Sequence, residues 1–471
     1  MEIIHVSAEC YPVAKAGGLG DVVGALPKYQ CKAGDFAKVV MPMYRTKFLN
    51  ENEFVVDAKG NAYLGNQIFT YTIIKEKTNK LGYDLYLVDI NGLLDREKIY
   101  GYNDDAERFI AFQIAVVEWI SKWQHKPDVI HCHDYHAGFI PFMIKNCYAY
   151  RHIAYIPTVL TIHNAQYQGW MSWNKSNYLP SWDMYKWGDL DWKNSINPLA
   201  SAIKCAWKVT TVSQSYMNEL RTSSNGLEDL FEYEKGKCLG ILNGIDNEVW
   251  NPQTDPYLPN KYSVKGVTAG KKKNKQSICE EFGLDPKKPL FVFIGRLVGE
   301  KAADILPGLF KNVLFHQANK ACYFVLGSGE KDIEHELASI QPMYPGQYHA
   351  VIGYNEALSH RLYAAADFLL MPSRVEPCGL NQLYALRYGT VPMVRSTGGL
   401  QDTVVDMGDS EGFGIRFVHA SEGEVAHAVY RAISVYEDKK HMEWMRKFMM
   451  QIDHSWEKVI EQYKEVYMSL K

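Results

Sequence analysis

Five clusters of chemistry-bearing side chains stand out in this sequence, four just beyond a run of apolar or β-branched residues and one at the end of such a strand. The first is Lys15-Ala-Gly-Gly-Leu-Gly-Asp21. Paired glycines allow a tight turn and close approach of backbone to a ligand. A helix opening near Asp21 would turn free N–H groups and a positive dipole end towards an anion, with Lys15 adding a full charge. The G-x-G-x-x-G spacing of dinucleotide sites is missing, and a purely structural turn fits these residues equally well. The second is Arg296-Leu-Val-Gly-Glu-Lys301, after the apolar run Leu290 to Ile294. A planar guanidinium and a point-charge ammonium on a loop at a strand's C-terminal end can converge on one diphosphate; two solvated cations are the plain alternative. The third, Pro372 through Asn381, sets Glu376 among rigid and apolar residues. It offers a carboxylate for sugar hydroxyls beside the N–H groups of a helix starting at Gly379 to Asn381, or simply an ion-paired loop acid.

The fourth cluster, His131-Cys-His-Asp-Tyr-His136, invites a zinc reading. Strand alternation puts His131 and His133 on one face and Cys132 on the other, and no second ligand pair stands at metal spacing. No metal is assigned. Asp134, at the strand's end, suits a substrate hydroxyl or a helix cap. The fifth, Thr161 through Gly169, carries His163 beyond another apolar strand, where a structural and a functional histidine both remain open. Serine-hydrolase, P-loop and zinc-protease patterns are all missing.

These clusters need elements to hold them. Short β-branched runs alternate with helical periods, which predicts parallel sheets with crossover helices. Strands are expected at Ile3 to Ala8, Lys38 to Met41, Leu85 to Asp89, Val129 to Cys132, Thr158 to Ile162 and Lys208 to Val212. In the second half they are expected at Leu290 to Ile294, Cys322 to Leu326, His349 to Ile352, Phe368 to Met371 and Val391 to Val394. Ala106 to Trp123 has a helical period. Pro252 to Lys275, with its run Lys271-Lys-Lys-Asn-Lys, reads as a solvated connector, so the domain boundary is expected near Gly240 to Asn251. Gly17-Gly-Leu-Gly-Asp recurs as Gly398-Gly-Leu-Gln-Asp, each at an expected strand-to-helix turn. Ser455 can cap a final helix whose stripe of Trp456, Val459, Ile460, Tyr463, Val466 and Tyr467 must pack on another surface.

Composition bounds the rest. The chain has 471 residues, 47% hydrophobic and 22% charged, with formal net charge −3. That length suits two or three domains, and the balance gives no global reason to bind nucleic acid or an anionic membrane. Nine cysteines without a C-x-x-C pair read as reduced thiols in a cytoplasmic protein. No secretion signal and no stretch of about 20 apolar residues is visible.

At these motifs the sequence resembles the bacterial glycogen synthase and plant starch synthase family, from Ile3 to about Tyr467. The most specific matches are Lys15 to Leu19, His133 to Gly138, Ile162 to Asn164, Leu242 to Asp246, Tyr354 to Arg361, Pro372 to Leu380 and Ser396 to Leu400. The resemblance implies a GT-B fold: an α/β protein of two Rossmann-like domains facing a cleft. They would be 1–245 on the acceptor side and 246–455 on the donor side, with helix 456–471 returning to the first. It implies retaining transfer of glucose from ADP-glucose to the non-reducing 4-OH of an α-1,4-glucan such as glycogen, without a metal or other cofactor. Arg296 and Lys301 would neutralise the diphosphate, and Glu376 would stabilise charge on the sugar ring. His163 and Asp134 would hold that sugar. Lys15, Gly18, Asp21, Asn243, Tyr354, Cys378, Gly379, Leu380 and Thr397 would bind the donor, and Tyr100 would lie near sugar or acceptor. Glu300 and Ala302 depart from the family's usual Gln-Lys-Gly pattern around Lys301, while Tyr384 stands where sucrose-type relatives carry a second glutamate. Two alternatives are a UDP-glucose-preferring synthase and an inactive glucan-binding relative. A phosphorylase-like reaction lacks its lysine motif.

Overall fold

The computed structural model describes residues 1–470. Its chain forms two compact units, one of Met1–Gly244 plus the segment beginning at Trp456, the other Ile245–Ser455. In the first unit the strands are β1 (Glu2–Val6), β2 (Phe36–Pro42), β3 (Phe54–Leu64), β4 (Gln67–Glu76), β5 (Asp84–Asp89), β6 (Val129–His133), β7 (Thr158–Ile162), the short pair β8 (Asp191–Trp192) and β9 (Ser195–Ile196), then β10 (Lys208–Thr211) and β11 (Cys238–Gly240). Nine of them make one sheet in the order β11-β10-β7-β6-β1-β2-β5-β4-β3. It is parallel from β11 to β5, and β4 and β3 add an antiparallel edge. Strands β6 and β7 are buried along their whole length, as in a parallel sheet covered on both faces.

The second unit carries β12 (Leu290–Ile294), β13 (Cys322–Gly327), β14 (Tyr348–Ile352), β15 (Phe368–Met371), β16 (Val391–Arg395) and β17 (Ile415–Phe417). They form a wholly parallel sheet in the order β14-β13-β12-β15-β16-β17.

Both sheets reverse direction once, and this positions the chemistry. In the first unit the chain winds from β1 to β2 on one side, then returns to lay β6 on the other. In the second it winds from β12 through β14, then returns to lay β15 beside β12. Ligands of open α/β sheets bind beyond the strand C-termini at such reversals. The loops there carry Lys15 after β1, Asp134 after β6, Arg296 and Lys301 after β12, and Glu376 after β15.

The interior strands expected from sequence are all present, within two residues at each end. Hairpin β3–β4 was not expected: exposed Val56 and Tyr63 blur the pattern of β3, but Phe69-Thr-Tyr71-Thr-Ile73 of β4 does alternate, with Tyr71 and Ile73 buried, a strand signal that the sequence did carry. The solvated connector is a correction. Val267–Phe282 is a helix with Lys271 and Lys275 buried. Lys271, Asn274, Lys275, Ile278 and Cys279 share its inner face, so the stripe has helical spacing but a largely polar composition that an apolar period cannot register. The final helix, Trp456–Met468, buries the expected stripe against Ile3, Val22, Leu26, Val129 and Val159 of the first unit. Among the described residues no helix is long and apolar enough to cross a membrane.

Candidate functional site

The turn after β1 is organised by Glu9, a residue that no motif singled out. Its buried carboxylate accepts from Ala16 N at 2.6 Å and Gly17 N at 3.0 Å through one oxygen. Its other oxygen accepts from the Tyr100 hydroxyl at 2.6 Å. Sequence had a faint signal for it, an acid between an apolar strand and a glycine turn. Helix Gly18–Lys32 follows, with no side chain capping its start at Gly17. Lys15 and Asp21 flank that start and pair at 2.7 Å. A Cβ on Gly17 or Gly18 would meet nothing within 4 Å, so the protein's own packing does not demand glycine there; the space suits close approach by a bound group. Tyr100 stacks on His136 with ring centroids 4.8 Å apart. The Tyr100 phenol is pushed far above its usual range by burial and by the Glu9 carboxylate, so it stays a hydrogen-bond donor.

Asp134 follows β6 with φ +55° and ψ −175°, a region that costs a non-glycine residue on the order of 1–3 kcal/mol. Its Oδ1 accepts from the backbone N of His163 at 2.7 Å and of Asn164 at 3.5 Å. Burial raises its pKa to about 7, against those two bonds, and the Glu9 charge pushes the same way. His163, at the end of β7, is buried and its pKa falls to about 3 for that reason. Its Nε2 lies 3.0 Å from His133 Nδ1. Asn243 is 5% exposed, and its Oδ1 has no hydrogen-bond partner among the described residues. A buried unpartnered acceptor of this kind points to a ligand donor. The first unit thus ties the Lys15 turn to Tyr100 through Glu9, and Asp134 to His163 directly.

In the second unit Lys301 Nζ sits 2.6 Å from Glu376 Oε2, which also accepts from Ser373 Oγ at 2.9 Å. Arg296 reaches Glu300 at 3.2 Å. The departures around Lys301 therefore resolve plainly. Glu300 pairs with Arg296, leaving Lys301 to Glu376, and Ala302 adopts the left-handed φ of +54° at which glycine is unstrained. The Glu300 carbonyl accepts from Arg374 N at 2.9 Å, which binds the two loops together. Gly379, with φ +74°, leads through Leu380 into helix Asn381–Tyr388. Cys378 and Thr397 are buried, and Thr397 precedes helix Gly398–Thr403. A Cβ on Gly398 would stand 2.1 Å from the Glu376 carbonyl, and one on Gly399 2.1 Å from that of Cys378. The second copy of the glycine motif is thus required by loop packing, unlike the first. Tyr354 is 79% exposed, with its hydroxyl 3.3 Å from Glu356. Tyr384 stacks on Trp250 at 3.6 Å between centroids and acts in packing.

Each unit thus presents a polar constellation at its sheet's reversal. The second offers two cations and a carboxylate, a set that can stabilise a departing diphosphate and a developing ring cation. The first offers hydroxyl-binding groups and an anion-compatible helix start.

Comparisons with known proteins show the family and the fold. Residues 2–233 match the family model described as starch synthase catalytic domain, and residues 274–448 match glycosyl transferases group 1. The chain is 51% identical to a glycogen synthase of Flavobacterium johnsoniae, covering 99% of this chain and 98% of that protein. A glycogen synthase of Thermodesulfovibrio yellowstonii is 36% identical, over 100% of this chain and 98% of that protein. The structure of the catalytic domain of starch synthase IV from Arabidopsis thaliana, bound to ADP and acarbose, superposes with TM-score 0.90 at 31% identity, covering 100% and 99% of the two chains. A sucrose-phosphate synthase from Thermosynechococcus elongatus shares the fold alone, at 16% identity and TM-score 0.64 over 99% and 98% of the chains.

Proposed function

Since this chain belongs to the glycogen and starch synthase family of GT-B glycosyltransferases, we propose that it transfers glucose from ADP-glucose to the non-reducing 4-OH of an α-1,4-glucan with retention of configuration. The observation that carries this reading is the Lys301–Glu376 pair at 2.6 Å at the β12/β15 reversal, with Arg296 on the same loop as Lys301. Support for adenine comes from the starch synthase IV structure, which was bound to ADP.

In this mechanism Arg296 and Lys301 take the charge that grows on the diphosphate as the glycosidic bond breaks, with the N–H groups of Gly379 and Leu380 assisting. As Lys301 turns to the phosphates, Glu376 is released to hold sugar hydroxyls and to face the positive charge developing on the ring. His163 and Asp134 fix the glucose, and Asn243 Oδ1 accepts one of its hydroxyls. Lys15 and the Gly17–Gly18 turn add charge and backbone donors for the nucleotide. Retention follows from attack on the face the phosphate leaves, with the departing phosphate oxygen taking the acceptor's proton.

The test is nucleotide release from ADP-glucose and from UDP-glucose, with and without glycogen. Glycogen-dependent release of ADP is expected. No release from either donor refutes the enzyme, and release from UDP-glucose alone overturns the donor. Replacing Lys301 by Ala should lower kcat roughly 10²-fold or more; near-normal turnover removes Lys301 from the leaving-group role.

A further inference from the structure

Behind His163 the first unit buries an unbroken line of ring nitrogens. His163 Nε2 meets His133 Nδ1 at 3.0 Å, His133 Nε2 meets His5 Nδ1 at 3.0 Å, and His5 Nε2 meets Gln30 Oε1 at 2.7 Å. Gln30 Nε2 donates to the Tyr467 hydroxyl at 3.2 Å. That hydroxyl lies 2.7 Å from His131 Nδ1, and His131 Nε2 lies 2.6 Å from Thr161 Oγ1. The line runs from β7 through β6 and β1 into helix Gly18–Lys32, then into the final helix.

Hydrogen-bond chemistry gives this line a direction. An amide oxygen only accepts, so His5 carries its proton on Nε2. A neutral His5 then has a bare Nδ1, which accepts from Nε2–H of His133. By the same step His133 Nδ1 accepts from Nε2–H of His163. Neutrality is secured by burial, which lowers the pKa of His5 to about 4 and that of His163 to about 3, and holds His131 and His133 well below 6.5. In the other arm Tyr467 accepts from Gln30, donates to His131 Nδ1, and leaves His131 Nε2–H for Thr161.

We infer that Gln30, His5 and His133 form a positioning chain that holds His163 in the neutral Nε2–H tautomer, with its Nδ1 as the lone-pair end, and that the Gln30 amide, its oxygen towards His5 and its nitrogen towards Tyr467, sets the chain's direction. One ring nitrogen from each of His5, His131 and His133 lies within 4.8 Å of the other two, a spacing that could hold a metal ion, and the three rings have six nitrogens in all. All six are already engaged in hydrogen bonds, so no lone pair is left for a cation. The tautomer assignment stands independently of the reaction, whereas its kinetic consequence rests on the proposed role of His163 beside the sugar.

Histidine-selective 15N NMR of the full-length protein tests it. The signals of His5, His131, His133 and His163, assigned through single His→Gln variants, should all show a neutral ring with the proton on Nε2 between pH 6 and 8. An Nδ1–H or charged ring at His163 overturns the proposal, as does movement of the cluster's signals on adding Zn2+. Gln30→Met removes the amide that sets the direction. His163 should then show mixed tautomers, with kcat lowered about 10-fold or more and donor KM within about two-fold. An unchanged His163 spectrum in that variant overturns the chain. A changed spectrum with unchanged kcat overturns only its kinetic half. Should Gln30→Met fail to fold, the wild-type spectrum still decides the tautomer.

Discussion

Asp134 combines a strained backbone, a buried carboxyl and a pKa near neutrality, so pH should act on it in two separate ways. Its folded pKa of about 7 lies above the usual 3.8. A carboxyl raised in the fold contributes stability at low pH that is lost as pH rises through the folded value. Activity should move the other way, because the ionised form is the better acceptor for a sugar hydroxyl. We expect kcat/KM to rise with pH through about 7 and then level off. Asp134→Asn keeps an oxygen for the two backbone bonds. Its rate should be flat with pH and about 10²-fold lower, and its Tm should fall less than the wild type's between about pH 4 and 7, the interval between the unfolded and folded pKa. A pH–rate profile and parallel melts check both. Backbone conformation makes a second residue-scale prediction. Ala302 pays the left-handed penalty at φ +54°, so Ala302→Gly should be neutral or stabilising by up to about 1 kcal/mol. Gly398→Ala should cost several times more, since its Cβ would stand 2.1 Å from the Glu376 carbonyl; urea midpoints separate the two. As candidate site residues, Glu376 and Lys301 were legible because their loops follow the apolar strands β15 and β12, and Asp134 because it stands at the end of β6 among histidines. Glu9 and Gln30 were not, because a buried polar residue declares itself only through partners distant in sequence.

The same principle explains which elements the sequence disclosed. Interior parallel strands such as β12 and β15 are continuous apolar runs, and their pattern survives without knowledge of neighbours. Helix Val267–Phe282 is the opposite case. Lys271 Nζ donates to the carbonyls of Tyr363 at 3.0 Å, Ala364 at 3.1 Å and Tyr388 at 3.1 Å, and to Thr390 Oγ1 at 2.7 Å. Lys275 reaches Asp367 at 2.8 Å and the Tyr436 hydroxyl at 2.9 Å. Here lysines one turn apart serve as internal staples, tying the helix to helix Glu356–Ala365 and to the turn before β16. Removing such a staple strands buried acceptors, each costing about 1–3 kcal/mol. Lys271→Met should therefore destabilise the protein by roughly 2–4 kcal/mol. The double change Lys272→Ala and Lys273→Ala, on the exposed face of the same run, should stay within about 0.5 kcal/mol. Equal losses in chemical denaturation would return the run to the solvated role its composition suggested.

At the scale of the whole molecule, the first unit is discontinuous in sequence and the second is not. The chain leaves the first unit after Gly244 and rejoins it at Trp456. Between these points Ile245 N donates to the His454 carbonyl at 2.9 Å, so exit and return are pinned together. A Cβ on Gly244 would stand 2.7 Å from Trp456 N; the ends to be joined, if the second unit were removed, already touch. The final helix completes the first unit by covering β1, β6, β7 and helix Gly18–Lys32 with Trp456, Val459, Ile460, Tyr463, Val466 and Tyr467. Exposing that face leaves several large apolar side chains without a partner, at about 1.5–3 kcal/mol each, enough to exceed the stability of an ordinary domain. A chain of residues 1–244 alone should accordingly aggregate or remain molten. The same residues joined through a short glycine linker to 456–471 should fold cooperatively, as should 245–455 by itself. Calorimetry and near-UV circular dichroism distinguish these outcomes. A stably folded 1–244 without the helix would show that the helix's apolar stripe is not needed to complete the first unit's core.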